Sequence, residues 1–340
     1  MINDFFSKVY GKIVKYRNRR YNREEHLSTK ISIPVISVGN LSVGGTGKTP
    51  FEELLVKLLL SLGKKPAIIG RGYKRKSKGE IIICDGQKVL VDANEGGDEL
   101  VLIARKLMVP VIANESKVEA ALSAEKRFDI DCIVVDDGFQ HRALKRNIDI
   151  VLVDRETLEK PYLLPKGMLR EPLESLSRAN VVCLTGGAKI TDELKQFTNQ
   201  DTIFIKVMVQ NGLPYMLGNI KSDYEEIEKI RKKKRIVAIA GIAKPYRFYE
   251  MVKKLEYHLV NYLNFSDHYY YDRNDIEKIR RFAEDNNSHY IALTEKDAVK
   301  LLKFVDRFEH YGLKLLVFPI TMTISEGGKT FTNFLKIKLG

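Results

Sequence analysis

Gly39-Asn40-Leu41-Ser42-Val43-Gly44-Gly45-Thr46-Gly47-Lys48-Thr49-Pro50 follows a β-branched run and runs directly into a helix-compatible stretch. Strand, glycine-rich turn and helix, in that order, are the context of a phosphate-binding loop. Gly44, Gly45 and Gly47 let backbone amides approach phosphate oxygens, Lys48 neutralises the β and γ phosphates, and the Thr49 hydroxyl is placed to ligate magnesium. Ser42, Val43 and Thr46 complete the loop. Such loops usually carry glycine five positions before the Gly-Lys pair, and here that position is Ser42. An ordinary glycine-rich turn is the bland alternative, but Gly-Thr-Gly-Lys-Thr at a strand end supplies every group that touches phosphate.

Working outward from the loop, residues 33–38, 66–69, 109–113, 132–135, 148–153 and 181–184 read as short buried strands. Helical spacing occupies residues 49–62, 97–107 and 116–127 between them. Alternation of this kind implies a parallel sheet with right-handed crossovers, an α/β core like that of P-loop NTPases. Residues 203–209, then Gln210-Asn211-Gly212, then 213–217 read as a hairpin ribbon, because Asn-Gly tolerates the positive backbone angles of a tight turn. A second strand series follows at residues 236–240, 258–263, 290–293 and 313–318, which places a domain boundary near residue 220. The expected organisation is a basic amphipathic helix over residues 1–24, a P-loop domain over 25–202, a β-ribbon linker over 203–222 and a smaller α/β domain over 223–340.

The apolar strand at residues 132–135 ends in Asp136-Asp137-Gly138, a strand-end acidic pair of the kind that holds magnesium in P-loop enzymes. Strand-end carboxylates gather with the loop at one edge of an open sheet, although acidic residues also end strands simply as turn formers. Gly96-Gly97-Asp98-Glu99 opens a helix, where the acids would also serve as first-turn caps. His268, in Ser266-Asp267-His268-Tyr269, reads equally well as a surface-loop histidine.

The 340 residues carry 57 Lys and Arg against 44 Asp and Glu, a formal charge of +13. That balance implies an anionic partner without naming it. Cys84, Cys132 and Cys183 lie far apart with no metal-ligand spacing, which fits a reducing compartment and neither a disulfide framework nor a zinc site. No apolar run approaches a membrane span. In residues 1–23, Ile2, Phe5, Phe6, Val9, Ile13 and Val14 recur at helical spacing among Lys and Arg, so this helix docks on the protein, binds an anionic partner or lies at a membrane interface.

In order along the chain, SVGNLSVGGTGKTP, RGYKRKSKG, GGDE, VVDDGFQHRALKRNIDIVLVD, LLPKGMLREPL, FSDHYYY and LTEKDAVK resemble the tetraacyldisaccharide 4'-kinases, which act in lipid A synthesis. The resemblance spans residues 37–300. It implies two α/β domains joined by a two-stranded ribbon with the nucleotide between them. The implied enzyme uses ATP and Mg2+ to phosphorylate the 4'-hydroxyl of a tetraacylated glucosamine disaccharide 1-phosphate, as a peripheral protein on the cytoplasmic face of the bacterial inner membrane. It also makes Asp98 the general base, with His268 as its partner and Lys48 beside them. Asp136 and Asp137, with Glu99 and Thr49, become the magnesium-side groups, and Gln140, His141, Arg170 and Glu171 lie in motifs near the substrate. The loop at residues 241–248 is a candidate for the adenine side. The same reading makes the lipid A precursor and an anionic membrane surface, reached through the first helix, the partners, with no nucleic acid. A regulatory GTPase is the competing class, but Thr294-Glu295-Lys296-Asp297 lacks the Asn of a guanine-reading motif. Nucleic-acid binding has only net charge in its favour.

Overall fold

A computed structural model describes residues 2–218 and 224–340. In chain order the first eight strands are β1 (Val35–Asn40), β2 (Pro66–Gly70), β3 (Ile81–Asp85), β4 (Pro110–Ala113), β5 (Cys132–Asp136), β6 (Ile148–Asp154), β7 (Val181–Thr185) and β8 (Ile203–Asn211). After them come β9 (Tyr215–Met216), β10 (Arg235–Ala240), β11 (His258–Asn264), β12 (Tyr290–Thr294), β13 (Lys314–Phe318) and β14 (Ile320–Glu326). The larger sheet has the order β14-β8-β7-β6-β1-β5-β2-β4-β3, parallel except for its two edge pairings. Every residue of β1, β2 and β7 is buried, because helices cover both faces of the sheet. Phe51, Leu55 and Leu59, from the helix Lys48–Ser61, pack on one face against Ile36, Val38 and Ile150. β3, an antiparallel edge strand, is an addition to the expected series.

β1 lies between β5 and β6, with Val38 level with Asp136. That register brings the loop after β1 and the acidic turn after β5 to one edge of the sheet, where ligands of open α/β folds collect.

The expected hairpin is not formed. β8 pairs with β14, more than a hundred residues away, and Tyr215–Met216 crosses to the other sheet to pair with β13. Pro214 has no N–H to donate to a hairpin ladder, and the Gly212 amide donates instead to the Pro319 carbonyl at 2.9 Å. The two units are thus joined by a ribbon of one outgoing and one returning strand. Residues 320–340, expected in the second domain, lie on the first: helix Gly328–Leu339 buries Phe331 and Leu335 in the first core. The expected boundary near residue 220 lies outside the described residues.

The smaller sheet has the order β11-β10-β12-β13-β9 and carries a core on each face. One core receives Ile276, Ile279 and Ala283 of helix Arg273–Asp285, which begins with a reciprocal Asp272 and Asp275 capping box. At the other end of the chain, helix Ile2–Arg23 turns Ser7, Gly11 and Val14 inward. Ile2, Phe5, Phe6, Val9 and Ile13 stay exposed, Phe5 at 64% and Phe6 at 53%. The helix therefore docks through small residues and leaves most of its apolar stripe to solvent.

Candidate active site

The phosphate loop bends through Gly47, whose φ of 90° lies in the left-handed region that side chains avoid; its successor Lys48 begins the helix Lys48–Ser61. Pro50 is tolerated in this first turn, where amides lack helical partners. Asn40, the last residue of β1, braces the loop from below. Its amide nitrogen donates to Thr46 Oγ1 at 2.8 Å, and its Oδ1 accepts from Lys48 Nζ at 3.4 Å. Ser42, where glycine was expected, is buried and accepts a hydrogen bond from Thr157 Oγ1 at 3.2 Å. The departure from the usual pattern is thus filled by a side-chain contact to the helix after β6. Val43 is tied down by its own amide, which donates to the Met168 carbonyl at 2.8 Å.

Across the strand ends, Asp137 Oδ1 lies 3.4 Å from Lys48 Nζ. Arg170 clamps the same carboxylate with two nitrogens at 2.7 and 2.8 Å, and also donates to Asn40 Oδ1. Burial pushes Asp137 up, but the Arg170 hydrogen bonds and the Lys48 charge outweigh it and hold the group far below the ordinary carboxylate range. Asp136 moves the other way, raised by burial and by the charges of Glu99 and Asp137. Under it sits Glu52, only 1% exposed, which burial and Asp136 raise well above the usual glutamate value. Lys117, buried beneath the turn, donates to the Asp136 and Asp137 carbonyls at 2.7 and 2.5 Å and so supports Asp137 in its left-handed conformation, φ 48°.

The second group of residues comes from both units. Gly97 precedes helix Asp98–Leu107 with a φ of 85°, and its Cα side abuts Gly72, so neither position has room for a larger residue. Asp98 is 4% exposed. Its two oxygens each lie 2.9 Å from His268 Nδ1, and the Glu99 amide donates to Oδ1 at 2.9 Å. Lys300 Nζ stands 3.9 Å away. Burial raises Asp98, yet the hydrogen bond and charge of His268, with Lys296 and Lys300, bring it below its ordinary value. Glu99 itself pairs with Lys296 of the second unit. The Tyr73 ring meets His268 edge-on at 5.1 Å, and Lys74 Nζ donates to the Asp267 carbonyl at 2.9 Å.

Of the residues placed near the substrate, Gln140 and Arg170 reach the loop: Gln140 Nε2 donates to the Asn40 carbonyl at 3.0 Å. Burial and the cations of Lys117 and Arg146 push His141 down to about 4, so it is neutral. Glu171 is fully enclosed and presents no free oxygen to the loop. It accepts from Arg178 at 3.0 Å and Asn18 at 2.7 Å, with Arg17 at 3.4 Å, while Tyr10 donates to the Arg170 carbonyl at 2.9 Å. It thereby fastens the N-terminal helix to the loop segment that carries Arg170. Asp297, in the string nearest to a guanine motif, is consumed by the Gly241 amide, Thr294, Tyr271 and Lys300. This also occupies the first amide of the loop at residues 241–248.

Asn40, Lys117, Lys296 and Lys300 went unread as functional candidates. Asn40 follows a strand glycine with no motif of its own. The lysines gain meaning only from partners distant in sequence.

Among the described residues, no three His, Cys, Asp or Glu side chains form a closed metal cage. The crowd of carboxylates around Asp136, which raise one another, still fits a hard cation held by one or two acids together with phosphate oxygens.

Comparison with known proteins points to one family. A family model described as tetraacyldisaccharide-1-P 4'-kinase matches residues 4–339. The tetraacyldisaccharide 4'-kinase of Syntrophus aciditrophicus is 37% identical over 318 residues, covering 88% of this chain and 84% of its own. That of Aquifex aeolicus is 35% identical, covering 89% and 90%. The crystal structure of an apo-form LpxK from Aquifex aeolicus in complex with ATP matches with a TM-score of 0.81 and 29% identity, covering 98% of each chain. On its sequence and its fold, the chain belongs to the tetraacyldisaccharide 4'-kinase family.

Proposed function

We propose that this kinase of lipid A biosynthesis transfers the γ-phosphate of ATP to the 4'-hydroxyl of a tetraacylated glucosamine disaccharide 1-phosphate, with Asp98 and His268 acting on the hydroxyl and residues 42–49 holding the triphosphate. The observation that carries the assignment of roles is the buried Asp98 carboxylate, held by His268 from the opposite unit at 2.9 Å. Phosphoryl transfer of this type needs positioning and charge neutralisation more than covalent chemistry. Lys48 and the loop amides neutralise the phosphates as the bond from the γ phosphorus to the bridging oxygen breaks and ADP leaves. The sugar oxygen forms the new bond to phosphorus, and its proton passes to Asp98. His268 orients that carboxylate and shares its charge. Thr49, Asp136, Asp137 and Glu99 are the residues that would hold magnesium, and the ion would supply charge neutralisation on the phosphate oxygens.

The test separates the two halves of the site. Asp98→Ala is expected to lower kcat by about 10²–10⁴-fold while ATP affinity stays close to wild type, measured by transfer of labelled phosphate to the lipid and by nucleotide titration. Equal losses in both would make Asp98 structural.

The outward face of helix Ile2–Arg23 supports a membrane reading. No helix among the described residues is long and apolar enough to cross a bilayer. Ile2, Phe5, Phe6 and Ile13 are exposed on this helix, and Phe5 with Lys8, Lys12 and Lys15 lines an open groove of about 700 Å³ between the helix and residues 161–163. Apolar rings flanked by cations suit the boundary between acyl chains and anionic headgroups. We infer peripheral docking at the cytoplasmic face of the inner membrane, where a substrate with four acyl chains resides.

A further inference from the structure

We propose that Lys106 is a positioning residue for the Asp98–His268 pair, a single ammonium group that pins the P-loop helix, the Asp98 helix and the second unit at one spacing. The proposal rests on the reading of Asp98 and His268 as the acting pair. Lys106 lies near the far end of helix Asp98–Leu107, about 12 Å along the axis from Asp98, and does not touch the site. Its Nζ stands 2.5 Å from Glu53 Oε2 and 2.8 Å from Glu295 Oε1. Glu53 is on helix Lys48–Ser61, five residues beyond the loop lysine, and Glu295 begins helix Glu295–Leu301 of the second unit.

Both carboxylates are nearly enclosed, with side chains 8% exposed. The second oxygen of Glu295 accepts from the Ile320 amide at 3.2 Å, at the start of the strand that returns to the first sheet. One ammonium therefore joins three helices at the point where the units connect. Its neighbours are complementary. Burial disfavours its charge, but Glu295 and Glu53 outweigh burial, so the group stays protonated. Glu53 has a second cation, Lys57 at 2.6 Å, whereas among the described residues Lys106 is the cation that pairs with Glu295. Loss of Lys106 thus leaves a buried carboxylate on the second unit facing Glu53 on the first, and like charges at that spacing push the units apart.

Of the other polar links between the units, Lys296 to Glu99, Lys300 to Asp98 and Lys74 to the Asp267 carbonyl involve the site or its immediate flanks, while Lys303 to Asp92 at 3.5 Å and Lys244 to Glu156 at 3.2 Å join more exposed side chains. Lys106 is the enclosed link whose removal alters spacing while leaving every proposed site group in place. A base held by a histidine from another unit is sensitive to that spacing, since small displacements of positioned groups are costly in rate.

The experiment is a double-substitution cycle on the full-length enzyme with ATP and the lipid substrate. Lys106→Met is expected to lower kcat about tenfold with the KM for ATP nearly unchanged, and Lys106→Arg to recover most of the loss. In a His268→Ala background, Lys106→Met should cost less than about twofold, because the contact it protects is already gone. The same factor in both backgrounds would show a general structural role and overturn the proposal, as would a loss confined to KM. Glu295→Gln, which leaves Lys106 paired with Glu53 inside the first unit, should repeat the non-additivity and serves if the methionine variant folds poorly. A His268→Ala enzyme with unchanged kcat would instead overturn the pair itself, and that result is visible before any substitution at Lys106.

Discussion

The phosphate loop and the Asp98–His268 junction occupy one site but are built in opposite ways. The loop is contiguous: residues 42–49 sit between β1 and its helix, and its brace, Asn40, is only six residues from the Thr46 it holds. The junction brings together residues 170 positions apart in the chain, from two sheets with separate cores. A contiguous loop positions its groups by local backbone geometry. A junction positions them only as well as the two units are held together, which makes it the part of the site most exposed to remote change.

Substitutions that act on one region and spare the other test that contrast. The largest effect on nucleotide handling is expected from Lys48→Ala, which removes the loop charge: kcat/KM for ATP should fall about 10²–10³-fold, with weaker nucleotide binding, in contrast to the affinity-sparing loss expected at Asp98. Steady-state kinetics with nucleotide titration distinguishes the two patterns, and unchanged ATP affinity in the Lys48 variant would erase the contrast.

A smaller, separable effect is expected on the outer face of the first helix. Phe5→Ser together with Phe6→Ser should reduce partitioning onto anionic vesicles by about tenfold or more, since each buried ring is worth on the order of 1.5–3 kcal/mol. Turnover of detergent-dispersed substrate should change little. Removing the whole helix is a different matter: Tyr10, Arg17 and Asn18 hold the segment carrying Arg170, whose guanidinium grips Asp137 and Asn40. Cosedimentation beside solution kinetics separates the outer face from the inner one.

The smallest effect is on stability, and it belongs to the loop side. Glu52 lies beneath Asp136 with one oxygen unpartnered among the described residues, and burial and the Asp136 charge raise its proton affinity well above the ordinary glutamate value. The folded protein binds this proton more tightly than the unfolded chain does. Its favourable contribution is therefore complete below the ordinary glutamate range and is lost as pH rises through the raised value. Glu52→Gln, similar in shape and without the charge, should raise Tm by a few degrees near about pH 8 and by less near about pH 5. Thermal unfolding across that range checks it, and a pH-independent difference would count against the buried charge as the cause.

Short-range chemistry accounts for what was legible. The six strands of the first series, the helices after β1 and β4, and the loop itself were readable because β-branched runs, helical spacing and glycine at a strand end act within a dozen residues. The acidic turn at Asp136 and Asp137 was readable for the same reason. Pro214 was also in plain view, but its missing N–H decides against a hairpin only when the distant partner β14 is available to take over β8.

By itself, then, the chain's sequence determined a parallel α/β core with a phosphate loop and two acidic strand or helix ends, and its motif order pointed to one kinase family. Tertiary structure alone decided that residues 320–340 return to the first sheet, that the first helix docks through Ser7 and Gly11, and that Glu171 serves as an anchor for that helix. It also decided that Lys106, Lys296 and Lys300 face carboxylates far away in the sequence. The physical reason is that a charge acquires its role from its partner and its burial, and both are properties of the folded chain rather than of any short segment.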